Sequence, residues 1–582
     1  MKLSRNIDVK ANMIWNIADT LRDVYKRHQY GSVILPFVVI KRFDEVLQDT
    51  KEKVYETYKQ VKDFDDHKVL LKRASGHGFY NCSRYTLSLI LSDADNIESN
   101  FNDYVNGFSE EIQDILSNFE THKLIEKLAS NNLLYNVLQE VNKVDLHPDT
   151  VSNIEMGYIF EETIRRFSEA QNEEAGEHYT PREVIELMVN ILFSDEDLSK
   201  TTEVITKTIY DPACGTGGML TVAEKHLKKQ NSSYNLISYG QEINSETYAI
   251  CKADILIKGE DADFIRNGNT LSNDRFKGYN FDYIISNPPF GKDWKSDQKK
   301  VKEEEKLGAA GRFHMGLPSV SDGQMLFLQT AVAKMKDKNK GGSRVAIIHN
   351  GSPLFTGDAG SGPSKIRQYI IENDMLDAVI ALPNDIFYNT GIATYLWLLS
   401  NKKPAHRKGK VQLINANDIF EKMRKSLGKK NKEITPKQIE YISKVYGEFK
   451  PGEFQFNDNI IESKIFDNED FGYLKVTVER PLRDEKGELI LKRGKKQPDS
   501  NLRDTENIPL KEDIKEYMER EVLPYTPDAW IDKKKTKEGY EIPFTRYFYK
   551  YIPPRKSDDI FSEIKELEDK ELQLMKELFG ND

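Results

Sequence analysis

The chain is poor in cysteine: Cys82, Cys214 and Cys251 are the three it has in 582 residues. An odd, widely scattered set of this kind excludes a disulfide framework and offers no paired CxxC metal site, and it suits a reducing cytoplasm. Long apolar runs are also missing. The longest, Val33 to Ile40, contains Pro36 and is far below the roughly 18 residues that span a bilayer. The charged start, with Lys2, Arg5, Asp8 and Lys10, has no apolar stretch behind it of the kind that directs export. We therefore expect a cytoplasmic protein with no membrane partner. An excess of positive charge is absent too: 84 Lys and Arg face 94 Asp and Glu, for a net charge of −10. That excludes a uniformly basic nucleic-acid coat and leaves room for local basic patches on an acidic body. What is present is enough to fold. Aromatics reach 10% beside 31% charged residues and a mean hydropathy of −0.62, too many for a mostly disordered chain. At about 150 residues per domain, the length allows roughly three or four folding units.

Across residues 1–150 apolar side chains recur at three and four positions, as in Ile14, Ile17, Leu21 and Tyr25, and Gly and Pro are sparse. This predicts an all-α N-terminal domain with no evident chemistry. A second helical stretch, Ile154 to Phe167, leads through the polar Gln171 to Gly176 into Glu177, His178, Tyr179, Thr180, Pro181 and Arg182. Thr180 before Pro181 reads as an N-cap followed by proline at the first helical position, so a helix should begin there and turn Val184, Ile185, Leu187 and Met188 inward. Taken alone, that is a well-capped core helix.

Beyond it the texture changes. Short β-rich runs at Thr208–Tyr210, Leu236–Tyr239, Phe281–Ser286, Arg344–His349, Leu376–Leu382 and Ala393–Leu399 alternate with helical patterns at Met219–Lys229, Asn244–Lys258, Gln324–Lys336 and Ser364–Glu372. Over residues 151–400 this predicts a doubly wound α/β sheet, with ligands beyond the carboxyl ends of its strands. After Ser400 the chain turns basic: eleven Lys and Arg between Lys402 and Lys432 face only Asp418 and Glu421. That run reads as a solvated linker or as a contact with a phosphate backbone, and residues 401–555 are expected to be a basic extension that contacts DNA or a partner. Residues 556–582 set Ile560, Ile564, Leu567, Leu572, Met575 and Leu578 among many charges, as in an amphipathic helix that serves subunit assembly or packs on its own chain.

The chemistry is concentrated after the strands. Asp211-Pro212-Ala213-Cys214-Gly215-Thr216-Gly217-Gly218 follows the first strand and precedes a helix, a turn whose glycines let a ligand approach backbone N–H groups closely. A dinucleotide fingerprint would need Gly or Ala where Leu220 stands, so NAD and FAD are disfavoured. Glu242 ends the next strand about 30 residues on, where an acid can accept from ribose hydroxyls. Gly268-Asn269-Thr270-Leu271 follows a third strand and could meet an adenine edge. The fourth strand ends in Asn287-Pro288-Pro289-Phe290. Its prolines lack N–H donors and fix φ, which holds the carbonyls and the Asn287 amide in one orientation able to accept from an exocyclic amino group, with Phe290 as a flat face for a base. An isolated Asn-Pro-Pro is more simply a rigid strand cap. One that follows a glycine turn and a ribose-type acid in this order points to a nucleoside-bearing cofactor and an amine substrate. There is no His/Cys/Asp set with metal-ligand spacing.

These motifs resemble those of S-adenosylmethionine-dependent methyltransferases that act on adenine N6 in DNA. Together with Gly176 to Val184, Ser321-Asp322-Gly323-Gln324 and His349 to Phe355, along nearly the whole chain, the sequence looks like the methylation subunit of type I restriction-modification systems. The resemblance implies a Rossmann-like S-adenosylmethionine-dependent methyltransferase domain, flanked by the helical N-terminal domain and a mainly helical C-terminal tail. It puts Asp211, Gly215, Thr216, Gly217 and Gly218 around the methionine end of the cofactor, Glu242 on its ribose, Asn269 on its adenine, and the segment Glu177 to Arg182 over the methionine moiety. Asn287, Pro288, Pro289 and Phe290 would receive a flipped adenine. The partners implied are double-stranded DNA, a specificity subunit, a second methylation subunit and a restriction-translocation subunit, in a bacterial or archaeal cytoplasm near the nucleoid. Residues 291–323, with Lys292, Lys295, Lys299, Lys300 and Arg312, are expected to be a lid over DNA. The rival readings are a protein-glutamine N5 methyltransferase, against which Phe290 in place of tyrosine and the long flanks tell, a cytosine-N4 enzyme, which more often begins the motif with serine, and a non-catalytic DNA-clamping scaffold.

Overall fold

The computed structural model describes residues 2–22, 24–170, 180–194, 203–388, 390–551 and 554–579, in two compact units, Met1–Ile542 and Pro543–Asp582. Up to Ala170 every named element is helical. The helix Tyr30–Val46 is apolar on nearly all sides and buried along most of its length, the pattern of a helix surrounded by others. Its one buried arginine, Arg42, donates to the carbonyls of Leu146 and Val151 and to Asn153 Oδ1. These bonds partner both terminal nitrogens of a buried guanidinium and tie the bundle to the helix Asn153–Ala170.

The central sheet begins with β1 (Ile205–Asp211), β2 (Tyr234–Glu242), β3 (Ile265–Asn267), β4 (Tyr283–Ser286), β5 (Arg344–Asn350), β6 (Leu376–Leu382), β7 (Thr394–Ser400) and β8 (Lys410–Asn415). A hairpin follows, β9 (Glu421–Leu427) with β10 (Lys430–Glu433), and then β11 (Gly452–Phe456) and β12 (Asn459–Asp467). The ten-stranded order is β11-β12-β8-β6-β7-β5-β4-β1-β2-β3. β1 lies parallel to both β2 and β4, and β7 runs antiparallel between β5 and β6. All seven residues of β6 are buried, as in a strand covered on both faces, and its one charged residue, Asp377, is paired with Arg407. The strand order reverses at the β1/β4 boundary, where a doubly wound sheet opens a crevice at its carboxyl edge. Register sets Tyr210 beside Ile284, so Asp211 and Ser286 finish together at that edge.

Two expectations for the chain after Ser400 are corrected. The tail is not mainly helical: β8, β11 and β12 extend the central sheet, and Gly472–Glu479 centres a second small sheet with its own core of Val476, Val478, Ile508, Met518 and Val522. The basic run is not a bare linker either: it forms β8 and the hairpin β9–β10, and its first part is neutralised by acids remote in sequence. Lys403 pairs with Asp374 (2.7 Å), Arg407 with Asp377 (3.3 Å) and Lys410 with Asp467 (2.8 Å). Counting charges within the run could not reveal these partners. In the second unit, Ser557–Phe579 is a helix with Phe561, Leu567 and Leu578 exposed.

Candidate active site

The turn after β1 depends on a glycine that a side chain would strain. Gly217 has φ +82°, and a Cβ there would lie 2.7 Å from Cys251 Sγ. The Gly215 N–H donates to Glu242 Oε2 (2.9 Å), and Glu242 Oε1 accepts from the Asn244 N–H (2.8 Å). The end of β2 thus clasps the turn while each carboxylate oxygen keeps a lone pair for a further donor. Asp211 is buried, and its Oδ1 accepts from the Ala213 N–H and the Ser286 hydroxyl, both at 2.9 Å. Burial pushes the Asp211 carboxyl up to about 7; those two hydrogen bonds pull it down and the nearby Glu242 pushes it further up.

β4 ends beside this cradle. Asn287 Nδ2 donates to Thr180 Oγ1 (2.9 Å), while Asn287 Oδ1 is buried with no partner among the described residues. A buried acceptor left open in this way is costly unless something donates to it. Phe290 is partly buried and meets Phe387 edge-on, with ring centroids 6.3 Å apart and planes at 76°. The expected cap is displaced by one residue. The helix runs Arg182–Leu192 with Pro181 as its cap, and the Pro181 carbonyl accepts from the Val184 and Ile185 N–H groups. Thr180 therefore lies too early to cap, and its hydroxyl is taken by Asn287. Val184, Ile185, Leu187 and Met188 are buried as expected.

Arg182 works from behind the cradle. Its guanidinium donates to both oxygens of Glu161 (3.2 and 2.5 Å) and to the Gly218 carbonyl (3.2 Å), and it stacks on Tyr158 at 4.4 Å. Burial pushes the Glu161 carboxyl above the ordinary carboxylate range, against the pull of Arg182. Residues 291–323 are not a structureless loop. They include the helix Gln298–Glu305, Trp294 is 2% exposed, and its indole N–H donates to the Ser319 carbonyl at 2.8 Å. Arg312 is buried, paired with Glu304 at 2.7 Å and donating to the carbonyls of Thr270 and Leu271, so it serves the core and not DNA.

A cavity of about 290 Å³ joins the two turns. Of the residues singled out from sequence, Thr180, Asp211, Gly215, Thr216, Gly218, Glu242, Asn269, Asn287 and Pro289 line it. Pro181, Arg182, Gly217, Pro288 and Phe290 are not among its lining residues, and Glu177, His178 and Tyr179 lie outside the described residues. The Asn269 side chain is already engaged: its Nδ2 donates to Asp297 Oδ1 and its Oδ1 accepts from the Leu271 N–H, both at 2.9 Å. Sequence reasoning missed Glu161, Ser286, Trp294 and Asp297. Glu161 had a detectable signal, an acid beside the buried Phe160 and Thr163 of an amphipathic helix.

A doubly wound sheet with its cavity at the switch point, and an Asn-Pro-Pro-Phe turn facing a glycine cradle, define a methyltransferase of Rossmann-like fold. The chain belongs to the N-6 DNA methylase family, which its residues 152–486 match, and residues 10–141 match the HsdM N-terminal domain. It is 25% identical over 457 residues to the type I restriction enzyme MjaIX methylase subunit of Methanocaldococcus jannaschii, covering 76% of this chain and 77% of that one. It is 30% identical over 308 residues to the MjaVIII methylase subunit of the same organism, covering 51% and 48%. The match thus spans about three quarters of one curated relative and about half of the other. The crystal structure of a type I restriction-modification methyltransferase subunit from Streptococcus thermophilus superimposes with a TM-score of 0.61 at 22% identity, over 80% of this chain and 97% of that one, a likeness of fold. Among the described residues no helix is long and apolar enough to cross a membrane.

Proposed function

We propose that the chain transfers a methyl group from S-adenosylmethionine to N6 of an adenine flipped out of duplex DNA, as the methylation subunit of a type I restriction-modification enzyme. In this reading a separate specificity subunit chooses the sequence, two methylation subunits serve each specificity subunit, and a restriction-translocation subunit joins for cleavage. The observation that carries the reading is Asn287 Oδ1, a buried acceptor with no donor among the described residues, on a side chain that lines the same cavity as Asp211 and Glu242.

When bound, the cofactor would supply a methyl already activated by a sulfonium centre. The Asp211 carboxylate suits its ammonium group, the free lone pairs of Glu242 its ribose hydroxyls, and the Gly215–Gly218 turn its chain. Asn269 would act on its purine through Asp297, whose carboxylate it holds. The segment Glu177 to Arg182 would close over the methionine end, with Arg182 acting from behind Gly218. Flipping costs a few kcal/mol, which stacking on Phe290 would offset by about 1–3 kcal/mol. Asn287 Oδ1 and the Pro288 carbonyl would then accept both hydrogens of the amine and raise lone-pair density on a nitrogen otherwise conjugated into the ring. The rest is positioning: the ordered oxygens need no reorganisation as charge develops.

The test uses labelled cofactor, duplex DNA and the protein with its specificity subunit. Asn287→Ala is expected to lower methyl incorporation by orders of magnitude while cofactor affinity stays within a factor of about two, since the substitution removes an acceptor for the base and leaves the cradle alone. Equal incorporation by both proteins would remove Asn287 from the reaction.

A further inference from the structure

The hairpin β9–β10 is an unfavourable object by itself. Its register sets Lys432 opposite Lys422 and Glu433 opposite Glu421; like charges directly opposed weaken a ladder, and an isolated two-stranded ribbon is marginal in water. Contacts at its turn and along β10 hold it in place. The Lys429 N–H donates to the Tyr388 carbonyl (2.9 Å), the Asn431 N–H donates to the Asp385 carbonyl (3.1 Å), and the buried Lys430 ammonium pairs with Glu183. Both anchoring points adjoin the active site. Glu183 follows Thr180 by three residues, and the loop that carries Tyr388 also carries Phe387, the ring against Phe290.

This hairpin also concentrates the basic run's unneutralised charge. Lys403, Arg407 and Lys410 lie earlier in the run and each has a carboxylate. Lys422, Arg424, Lys425 and Lys429 are exposed, and among the described residues no acid pairs with them. A chain with a net charge of −10 repels DNA as a whole, so any attraction must be local. Duplex flanking an extruded base has to pass the mouth of the cavity, and the hairpin that carries these cations is anchored to the elements that bear Thr180 and Phe387, beside it.

We propose that the hairpin β9–β10 grips the phosphate backbone of duplex DNA beside the extruded adenine, with Lys422, Arg424, Lys425 and Lys429 as its phosphate contacts. The assignment rests on the DNA-methylation reading above and adds to it a site for the substrate's backbone. Contacts of this kind carry no base information, so they set affinity and register while sequence is chosen elsewhere.

The experiment compares the wild type with a variant carrying K422Q, R424Q, K425Q and K429Q, in the full-chain assembly in which methyl transfer is measured. Binding of a fluorescently labelled duplex is followed over a range of salt concentrations. The variant should bind more weakly, equally so for duplexes with and without the recognition sequence. The slope of log affinity against log salt should become shallower by about 0.9 for each phosphate that is no longer neutralised. Melting temperature and S-adenosylmethionine affinity should not move, because the four side chains are exposed and outside the cavity. K422E alone should weaken binding beyond K422Q. An unchanged affinity and slope would overturn the assignment. So would a variant whose DNA slope is intact but whose assembly dissociates on gel filtration, which would give the hairpin to a protein partner. A wild-type assembly that binds the cofactor and the duplex yet methylates no DNA would sink the underlying reading instead, and the salt slopes would still decide the hairpin.

Discussion

Asp211 and His349 show how burial turns single residues into pH-dependent elements. The folded pKa of Asp211, about 7, lies above the ordinary 3.8; the native state holds a proton that the unfolded chain releases, so this group lowers stability as pH rises from about 4 to 7. Asp211→Asn can still accept from Ala213 and Ser286. It should therefore melt higher than wild type at pH 8 and lose about 1.5–3 kcal/mol of cofactor binding, the usual worth of a hydrogen bond to a charged group. Calorimetry of both proteins at pH 8 checks the two signs together. His349 acts in the opposite direction. It is buried edge-on to Trp397 with neither ring nitrogen partnered among the described residues, and burial lowers its pKa to about 3. Its contribution is complete above about 6.5 and is lost as pH falls toward 3. His349→Leu should flatten the acid limb of a plot of melting temperature against pH. At this scale the sequence was legible where function demands rare residue patterns: the glycines of the turn, Glu242 after a strand, Asn287 before two prolines. Ser286 and Asp297 were not, because ordinary residue types acquire their roles from partners 75 and 28 positions away.

Elements add constraints that a string of residues conceals. Residues 291–323 look like a flexible polar loop in composition, yet Trp294, Phe313 and Arg312 anchor them from within. Trp294→Ala should cost about 3–5 kcal/mol of stability and open the segment to protease. The wild-type segment should resist limited proteolysis before DNA is added; rapid cleavage between Trp294 and Arg312 would show that this packing is not kept in solution. The Glu161–Arg182 pair links the helix Asn153–Ala170 to the Gly218 carbonyl. Glu161→Ala leaves Arg182 buried without its partner and should destabilise the protein by about 3 kcal/mol, with cofactor affinity falling as the turn loosens. Thermal melts and cofactor titration measure the two effects. The alternating α/β pattern was readable because buried parallel strands are written as continuous apolar runs; β8, β11 and β12 escaped because strands near a sheet's edge mix polar residues into the run.

At the scale of the molecule, one hydrophobic core runs from Ile14 through Phe37, Leu187 and Ile380 to Ile461. The helical bundle and the sheet are therefore a single folding unit rather than beads on a string. Lys252 on the helix behind β2 reaches Asp114 in the bundle at 2.6 Å. A fragment that starts at residue 151 should expose that face, aggregate and bind dye that reports apolar surface; a soluble fragment with a cooperative melt would refute the shared core. The change of texture near residue 150 was visible in the sequence, but whether the parts on either side share an interior depends on long-range packing that periodicity does not encode. Lys430 gives this continuity a mechanical meaning. One ammonium ties the hairpin to the same helix whose preceding threonine holds the Asn287 amide, so under the readings proposed above the backbone grip and the base's acceptor would be mounted on one rod.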